Sequence, residues 1–303
     1  MTSALRRFGY RILPADAFSY VLHLRPREWP IMAAHTALGW ILAEGVLGVV
    51  RGRGLRALAL GLVIWVIFGN GGTLAINSAF DKDDGDIGYL DEPPPPPAHL
   101  AGFAFALMIA GQGLSLLLGP RFALAYAACF AMSLAYSVPP LRLKAVAGAD
   151  WVINMVGFGT LTPYAGWAIT GRPLPGGMAV VLWSFAALFG SLYPLTQLYQ
   201  FDEDARRGDR TLALMLGMRG SLLVALGAAA VAFGMLAWAA WRAECAPWQW
   251  GALAVAAGSW AAVLLPWLAR HRTMSAREHQ RGMYAALTAW AVTDLAVVAA
   301  FAA

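Results

Sequence analysis

Apolar residues run along this chain in long, nearly unbroken stretches, and short polar segments between them hold most of the charge. A helix needs roughly 20 mostly apolar residues to cross a bilayer. Nine windows of about that length can be drawn: 31–50, 55–79, 99–118, 121–138, 150–171, 177–200, 213–241, 247–269 and 283–302. None alternates with the period of two that a membrane barrel requires. In lipid the backbone must satisfy its own polar groups, which favours helices throughout. The pattern predicts an all-α integral membrane protein, a bundle of about nine transmembrane helices forming one polytopic domain over 1–303. Residues 1–30 read as an N-terminal segment, and 80–98 and 201–212 as acidic loops.

Composition strengthens this picture. The chain is 59% hydrophobic and 13% charged, against about 45–50% and 25% in soluble domains, which argues against an ordinary soluble enzyme. Its 32 Gly and 13 Trp suit membrane helices and their interfaces. Cys129 and Cys245 lie far apart and form neither a disulfide framework nor a metal motif. Arg6, Arg7 and Arg11 are not followed by a clean apolar core and small-residue cleavage site, so no cleavable signal peptide is read. A net charge of +5 raises the question of nucleic acid. Lys and Arg placed beside the spans are explained by topology instead, and no nucleic-acid partner is expected. With nine spans and the N-terminus inside, 16 of the 22 Lys/Arg fall on the cytoplasmic side. The positive-inside rule therefore puts the N-terminus in the cytoplasm and the C-terminus on the opposite side.

The acids are not scattered. Ten of 17 fall in two short windows, Asp81, Asp83, Asp84, Asp86, Asp91 and Glu92 in one, and Asp202, Glu203, Asp204 and Asp209 in the other. In this topology both windows lie at the cytoplasmic mouth. Asn77 and Asp81 are four apart and share a face at the end of their helix. Oxygen-rich, histidine-free clusters suit Mg²⁺, which commonly takes one or two carboxylates, waters and substrate phosphates. A solvated acidic loop is the competing reading for the first window, and internal pairing with Arg206 and Arg207 for the second. Two such windows at one membrane level favour the metal.

A basic stretch, Tyr136-Ser137-Val138-Pro139-Pro140-Leu141-Arg142-Leu143-Lys144, falls at the same mouth. Its prolines stop the preceding helix. Arg142 and Lys144 could hold phosphate oxygens, Arg as a planar fork and Lys as a point charge, or simply anchor the loop. Arg25 could face the same phosphate site or lipid headgroups, and Trp29 reads as an interfacial anchor. Asp150 and Asn154 could orient Lys144 or touch phosphate, while an acid at a helix start also stabilises the helix dipole. Asp294 lies well inside the last window, where a charge is functional or paired. Pro93–Pro97 reads as a stiff polyproline II connector. Acidic loops, Arg and Lys over an apolar bundle form a coherent site for a lipid-linked diphosphate.

These segments resemble the UbiA-type intramembrane prenyltransferase superfamily. The resemblance is carried by Arg25-Pro26, Asn77-x-x-x-Asp81, the Tyr136–Lys144 stretch, and Asp204-x-x-x-Gly208-Asp209-Arg210-Thr211-Leu212. It implies nine helices, Mg²⁺, an isoprenyl diphosphate donor and release of diphosphate. Two positions depart from the family pattern. Gly85 stands where the first motif ends in Asp, flanked by Asp84 and Asp86, and Gln200 stands where the second motif begins with Asp.

The expected function is Mg²⁺-dependent transfer of a prenyl group to an aromatic or other lipophilic acceptor within the bilayer. Asn77, Asp81, Asp84, Asp202 and Asp204 are the expected metal ligands, with Asp81, Asp84 and Asp204 central to catalysis. Arg25, Asn77, Lys82, Tyr136, Arg142, Lys144 and Arg210 are the expected diphosphate contacts. Two alternatives remain at this stage, a terpene cyclase of the same type and a membrane transporter or lipid-binding protein. A lack of covalent-nucleophile machinery suits direct ionisation of the donor.

Overall fold

The computed structural model describes residues 3–52, 54–81, 90, 93–198, 201 and 211–302. Each of the nine apolar windows is helical over most of its described residues. Two short helices the pattern did not mark precede them, α1 (Ser3–Ile12) and α2 (Ala15–His23). The windows become α3 (Trp29–Val50), α4 (Leu55–Asp81), α5 (Leu100–Leu118), α6 (Pro120–Ser137), α7 (149–168), α8 (Gly176–Leu198), α9 (Leu212–Arg242), α10 (Pro247–Arg270) and α11 (Ala276–Phe301). Seven of these, all but α6 and α7, are long and apolar enough to cross a membrane. Arg121, Tyr126, Ser133 and Tyr136 dilute the apolar run of α6, and α7 is split internally.

The irregularities in the helices have local explanations. Pro30, Pro120 and Pro247 open their helices, where a missing N–H does no harm. Gly45 breaks α3 with φ of 72°, and the freed N–H of Val46 donates to Ala302 O at 2.9 Å, so the end of α11 satisfies it. Two π-helical stretches, Val63–Gly71 in α4 and Met155–Leu161 in α7, widen the helical turn. Both face the interior.

Close packing depends on small residues. Gly39 of α3 lies against Pro163 O of α7, and Gly166 of α7 lies against Thr36 O of α3. A Cβ at either position would overlap a backbone carbonyl, so this crossing exists because both residues lack one. One apolar core joins α3 and α7 to α8–α11 through Leu38, Trp167, Phe185 and Trp260, and a second joins α3, α4, α6 and α7 through Trp40, Trp65 and Tyr126. The outside is apolar as well. Leu47, Val50, Leu116, Leu117, Leu124 and Leu295 are all at least two-thirds exposed, as a lipid-facing surface requires. Trp238, Trp241, Trp248 and Trp250 are exposed around the α9–α10 connection, as expected at a membrane interface.

Gly39→Ala and Gly166→Ala are each expected to lower stability by about 1–3 kcal/mol or to prevent folding, because the overlapping atoms are backbone. Gly227→Ala and Gly234→Ala, which meet open space, are expected to be neutral or mildly stabilising. Thermal unfolding of the four purified variants checks the contrast.

Candidate active site

α4 ends where α6 ends and α7 begins, and these termini assemble the charged part of the site. Asn77 and Asp81 leave α4 on one face, as their spacing predicts. Lys144, from the turn after α6, places its ammonium against both. It donates to Asn77 Oδ1 at 3.1 Å and forms an ion pair with Asp81 Oδ1. Ser137 Oγ also donates to Asn77 Oδ1, at 3.4 Å, and Arg142 Nη2 lies 3.7 Å from Asp81 Oδ1. Arg142 has φ of 38°, which turns the chain sharply after Pro139 and Pro140. Lys144 and Asp81 are 12% and 14% exposed, whereas Arg142 is 48% exposed. The Lys144–Asp81 pair is thus mostly withdrawn from water and Arg142 stands at the rim.

Beside this group Arg25, itself buried with φ of 50°, donates from Nη2 to Ser78 Oγ at 3.5 Å. Trp29, half-buried, donates its indole N–H to Leu24 O at 2.9 Å and so closes the turn before α3. Pro94 in the proline connector accepts from His23 Nε2 at 3.2 Å, and Leu90 packs on Phe18 and Leu22. Burial, aided by the Arg25 charge, holds His23 below its ordinary pKa, consistent with a neutral ring donating to Pro94 O. The connector after the first acidic window is therefore strapped to α2.

A second polar group lies on α7 and α8. Asp150 is fully buried and accepts from Gly148 N at 2.8 Å, Tyr193 Oη at 3.2 Å and Gln197 Nε2 at 3.4 Å. Tyr193 has one proton and gives it to Asp150, so its contact with Tyr136 Oη at 3.2 Å is one that Tyr136 donates. Asn154 Nδ2 donates to Asp150 O at 2.8 Å, and Gln197 Oε1 accepts from Ala213 N at 3.1 Å at the start of α9. Asp150 thus serves as the helix-start acid and ties α7, α8 and α9 together.

Beneath these groups a cavity of about 290 Å³ enters the bundle between α3, α4, α5, α6, α7, α8 and α11. Arg25, Asn77, Tyr136 and Tyr193 line its polar part, and Trp65, Met108, Tyr126, Phe158, Phe189 and Trp290 its apolar part. Both π-helical stretches contribute to the wall, through Trp65, Gly69 and Asn70 and through Gly157 and Phe158. Asp294 finds its partner here. His35 Nδ1 lies 3.3 Å from Asp294 Oδ1 and Nε2 lies 3.4 Å from Gly159 O, with the ring edge-on to Phe185 and Trp290.

Of the site residues expected from the sequence, Arg25, Asn77, Tyr136 and Asp81 with Arg142 and Lys144 come together at or beside the cavity mouth. Lys82, Asp84, Asp202, Asp204 and Arg210 lie outside the described residues, as do Gly85 and Gln200. Among the described residues no group of three or more Asp, Glu, His or Cys converges to hold a metal. Both cysteines are free, as expected. Glu28, Asn70, His35 and Tyr193 line the cavity and had drawn no role from the sequence. For Asn70 a signal existed, since it stands seven residues before Asn77 and shares its face.

The sequence profile of the UbiA prenyltransferase family matches residues 29–287. The chain belongs to that family. No curated protein matches it by sequence. Among solved structures, a UbiA homologue from Archaeoglobus fulgidus bound to GPP and Mg²⁺ superposes with a TM-score of 0.67 at 19% identity, covering 90% of this chain and 99% of that one. The same homologue bound to DMAPP and Mg²⁺ gives 0.66 at 19% identity, over 90% and 98%. A digeranylgeranylglyceryl phosphate synthase gives 0.67 at 14% identity, over 94% and 98%. At these identities the likeness is one of fold, and this UbiA-family chain shares nearly the whole of it.

Asp150→Ala is expected to lower stability by about 1–3 kcal/mol, because Tyr193, Gln197 and Gly148 N lose a buried acceptor. Tyr193→Phe, which removes one of these donors and leaves the carboxylate its other two, is expected to be milder. Thermal unfolding of the purified variants measures the difference.

Proposed function

We propose that this UbiA-family protein transfers a prenyl group from a prenyl diphosphate to a lipophilic acceptor inside the membrane, with Mg²⁺. The observation that carries the proposal is the convergence of Asp81, Asn77, Lys144 and Arg142 over an apolar, aromatic-walled cavity. The solved relatives bound to GPP or DMAPP with Mg²⁺ support the same donor class and cation. In this reading nine helices span the bilayer, with the N-terminus and the polar mouth cytoplasmic and the C-terminus opposite.

The residues present fit a hard cation. Lys144 already draws Asp81 Oδ1 and Asn77 Oδ1 toward one positive charge, so two oxygens are disposed around a cation position. Asp81 and Asn77 would hold Mg²⁺, joined by Asp84, Asp202 and Asp204 from the acidic windows and by donor phosphates. When bound, Mg²⁺ would offset the diphosphate charge and assist its departure.

The chain's own residues do the rest. Lys144, Arg142 and Arg25, with Lys82 and Arg210, neutralise phosphate oxygens, and Tyr136 would donate a hydrogen bond to them by turning its one hydroxyl proton away from Tyr193. The prenyl tail lies along the apolar wall, where burial contributes about 0.8 kcal/mol per CH₂. Breaking the allylic C–O bond leaves positive charge at C1. Aromatic rings of the wall that lie near C1 would favour this cation by about 0.5–2 kcal/mol each where desolvated. Exclusion of water by the same wall directs the electrophile to the acceptor.

Incubation with geranyl diphosphate, Mg²⁺ and membrane lipid extract is expected to give a prenylated lipid, read by mass spectrometry. Asp81→Ala should lower the rate by roughly 10²-fold, the scale of losing one electrostatic contact to developing charge. A folded Asp81→Ala protein with full activity would sink the assignment. A cyclic hydrocarbon formed from donor alone would point to cyclisation.

A further inference from the structure

The mouth residues leave two buried polar side chains on the cavity wall unused. Glu28 closes the turn before α3, its N–H donating to Arg25 O at 3.0 Å, and it is 7% exposed. Its carboxyl faces Asn70 of α4. Burial holds it above the usual carboxylate range, while the Arg25 charge and the Asn70 amide favour its ionised form. Asn70 is 6% exposed, and beyond the Glu28 carboxyl beside it its Nδ2 meets no acceptor among the described residues.

Their depth gives these groups a meaning. Asn70 lies seven residues before Asn77, about 10 Å lower along the same helix face at roughly 1.5 Å per residue. The wall between them carries Thr73 and Leu74, and Met32 faces it from α3. A diphosphate held at Asn77 and Asp81 would therefore place the reacting C1 between the mouth and this ledge. Leaving an amide N–H buried without a partner costs about 1–3 kcal/mol, and a ligand that uses it recovers it.

We propose that Glu28 and Asn70 form the acceptor subsite and that the acceptor is held through a neutral hydroxyl, of a phenol or an alcohol. Asn70 Nδ2 donates to the hydroxyl oxygen and Glu28 accepts its proton. The donor's C1–O bond breaks and its electron pair leaves with the diphosphate. The hydroxyl oxygen, or the ring carbon that a phenol's oxygen activates, supplies the electron pair of the new bond to C1. The proton released in forming the product goes to the Glu28 carboxylate and then to water. Burial holds the Glu28 carboxyl above the usual carboxylate range, which makes it a stronger base than an exposed one.

This inference rests on the prenyl-transfer reading, and the test separates the two. Wild-type protein with geranyl diphosphate, Mg²⁺ and membrane lipid extract must first yield prenylated lipid; if it does not, prenyl transfer itself fails. Glu28→Gln and Asn70→Ala are then expected to lower transfer by roughly 10²-fold, the scale of a lost general base, with geranyl diphosphate affinity within about threefold of wild type. Glu28→Asp should restore part of the rate. Extract whose hydroxyls have been acetylated should no longer be prenylated by the wild-type protein, an arm that needs no variant to fold. Wild-type transfer rates in both variants, loss of donor binding in parallel with transfer, or undiminished prenylation of acetylated extract would each overturn the proposal.

Discussion

A backbone that crosses lipid must satisfy its polar groups from within, and the departures from regular helix in this bundle are organised by that demand. The break at Gly45 is tolerated because Ala302 O accepts the freed Val46 N–H. The π-helical stretches of α4 and α7 lie where the wall faces the cavity, and Gly159 O of the second meets His35. Thr162 Oγ1 donates to Gly157 O at 3.1 Å within the same region. The two π-helical stretches therefore lie where they shape the mostly apolar cavity inside the bundle.

The same constraint divides three acids that are buried or mostly withdrawn from water by role. Asp150 is fully buried, with three donors on its carboxylate, and that arrangement fixes the bases of three helices. Asp294 pairs with His35 across α3 and α11. Asp81 differs from both because its partners are the charged ends of Lys144 and Arg142, and the latter is close to water. A carboxylate held by ammonium and guanidinium groups at an open rim can exchange those partners for a cation and phosphate oxygens. A carboxylate sealed by tyrosine, glutamine and backbone cannot do so without unfolding its surroundings.

The helical windows were legible because lipid demands about 20 apolar residues, and the Asn77–Asp81 face and the Tyr136–Lys144 turn were legible because polar residues stand out against that background. The deeper cavity was not. In a soluble helix an apolar stripe marks the inward face, but here Leu47 and Leu295 face outward and are as apolar as the core, so periodicity loses its direction. Single polar residues such as Glu28, Asn70 and His35 then look like isolated exceptions. Their meaning depends on contacts between distant segments, such as the 259 residues that separate His35 from Asp294. The α1 and α2 helices were missed because they are too short to carry a spanning signal, although Phe18 and Leu22 of α2 are buried under the strap at Leu90. The second acidic window and the departures at Gly85 and Gln200 fall outside the described residues.

The central claim is that the charges at the end of α4 hold a diphosphate while the aromatic cavity holds its hydrocarbon tail. An experimental structure of the protein with geranyl diphosphate and Mg²⁺ tests it most directly. The account predicts the diphosphate in contact with Lys144 and Arg142, a cation shared with Asp81, and the geranyl chain descending past Asn70 toward Trp65. A diphosphate bound away from Asp81 and Lys144, or a chain lying outside the bundle, would contradict it.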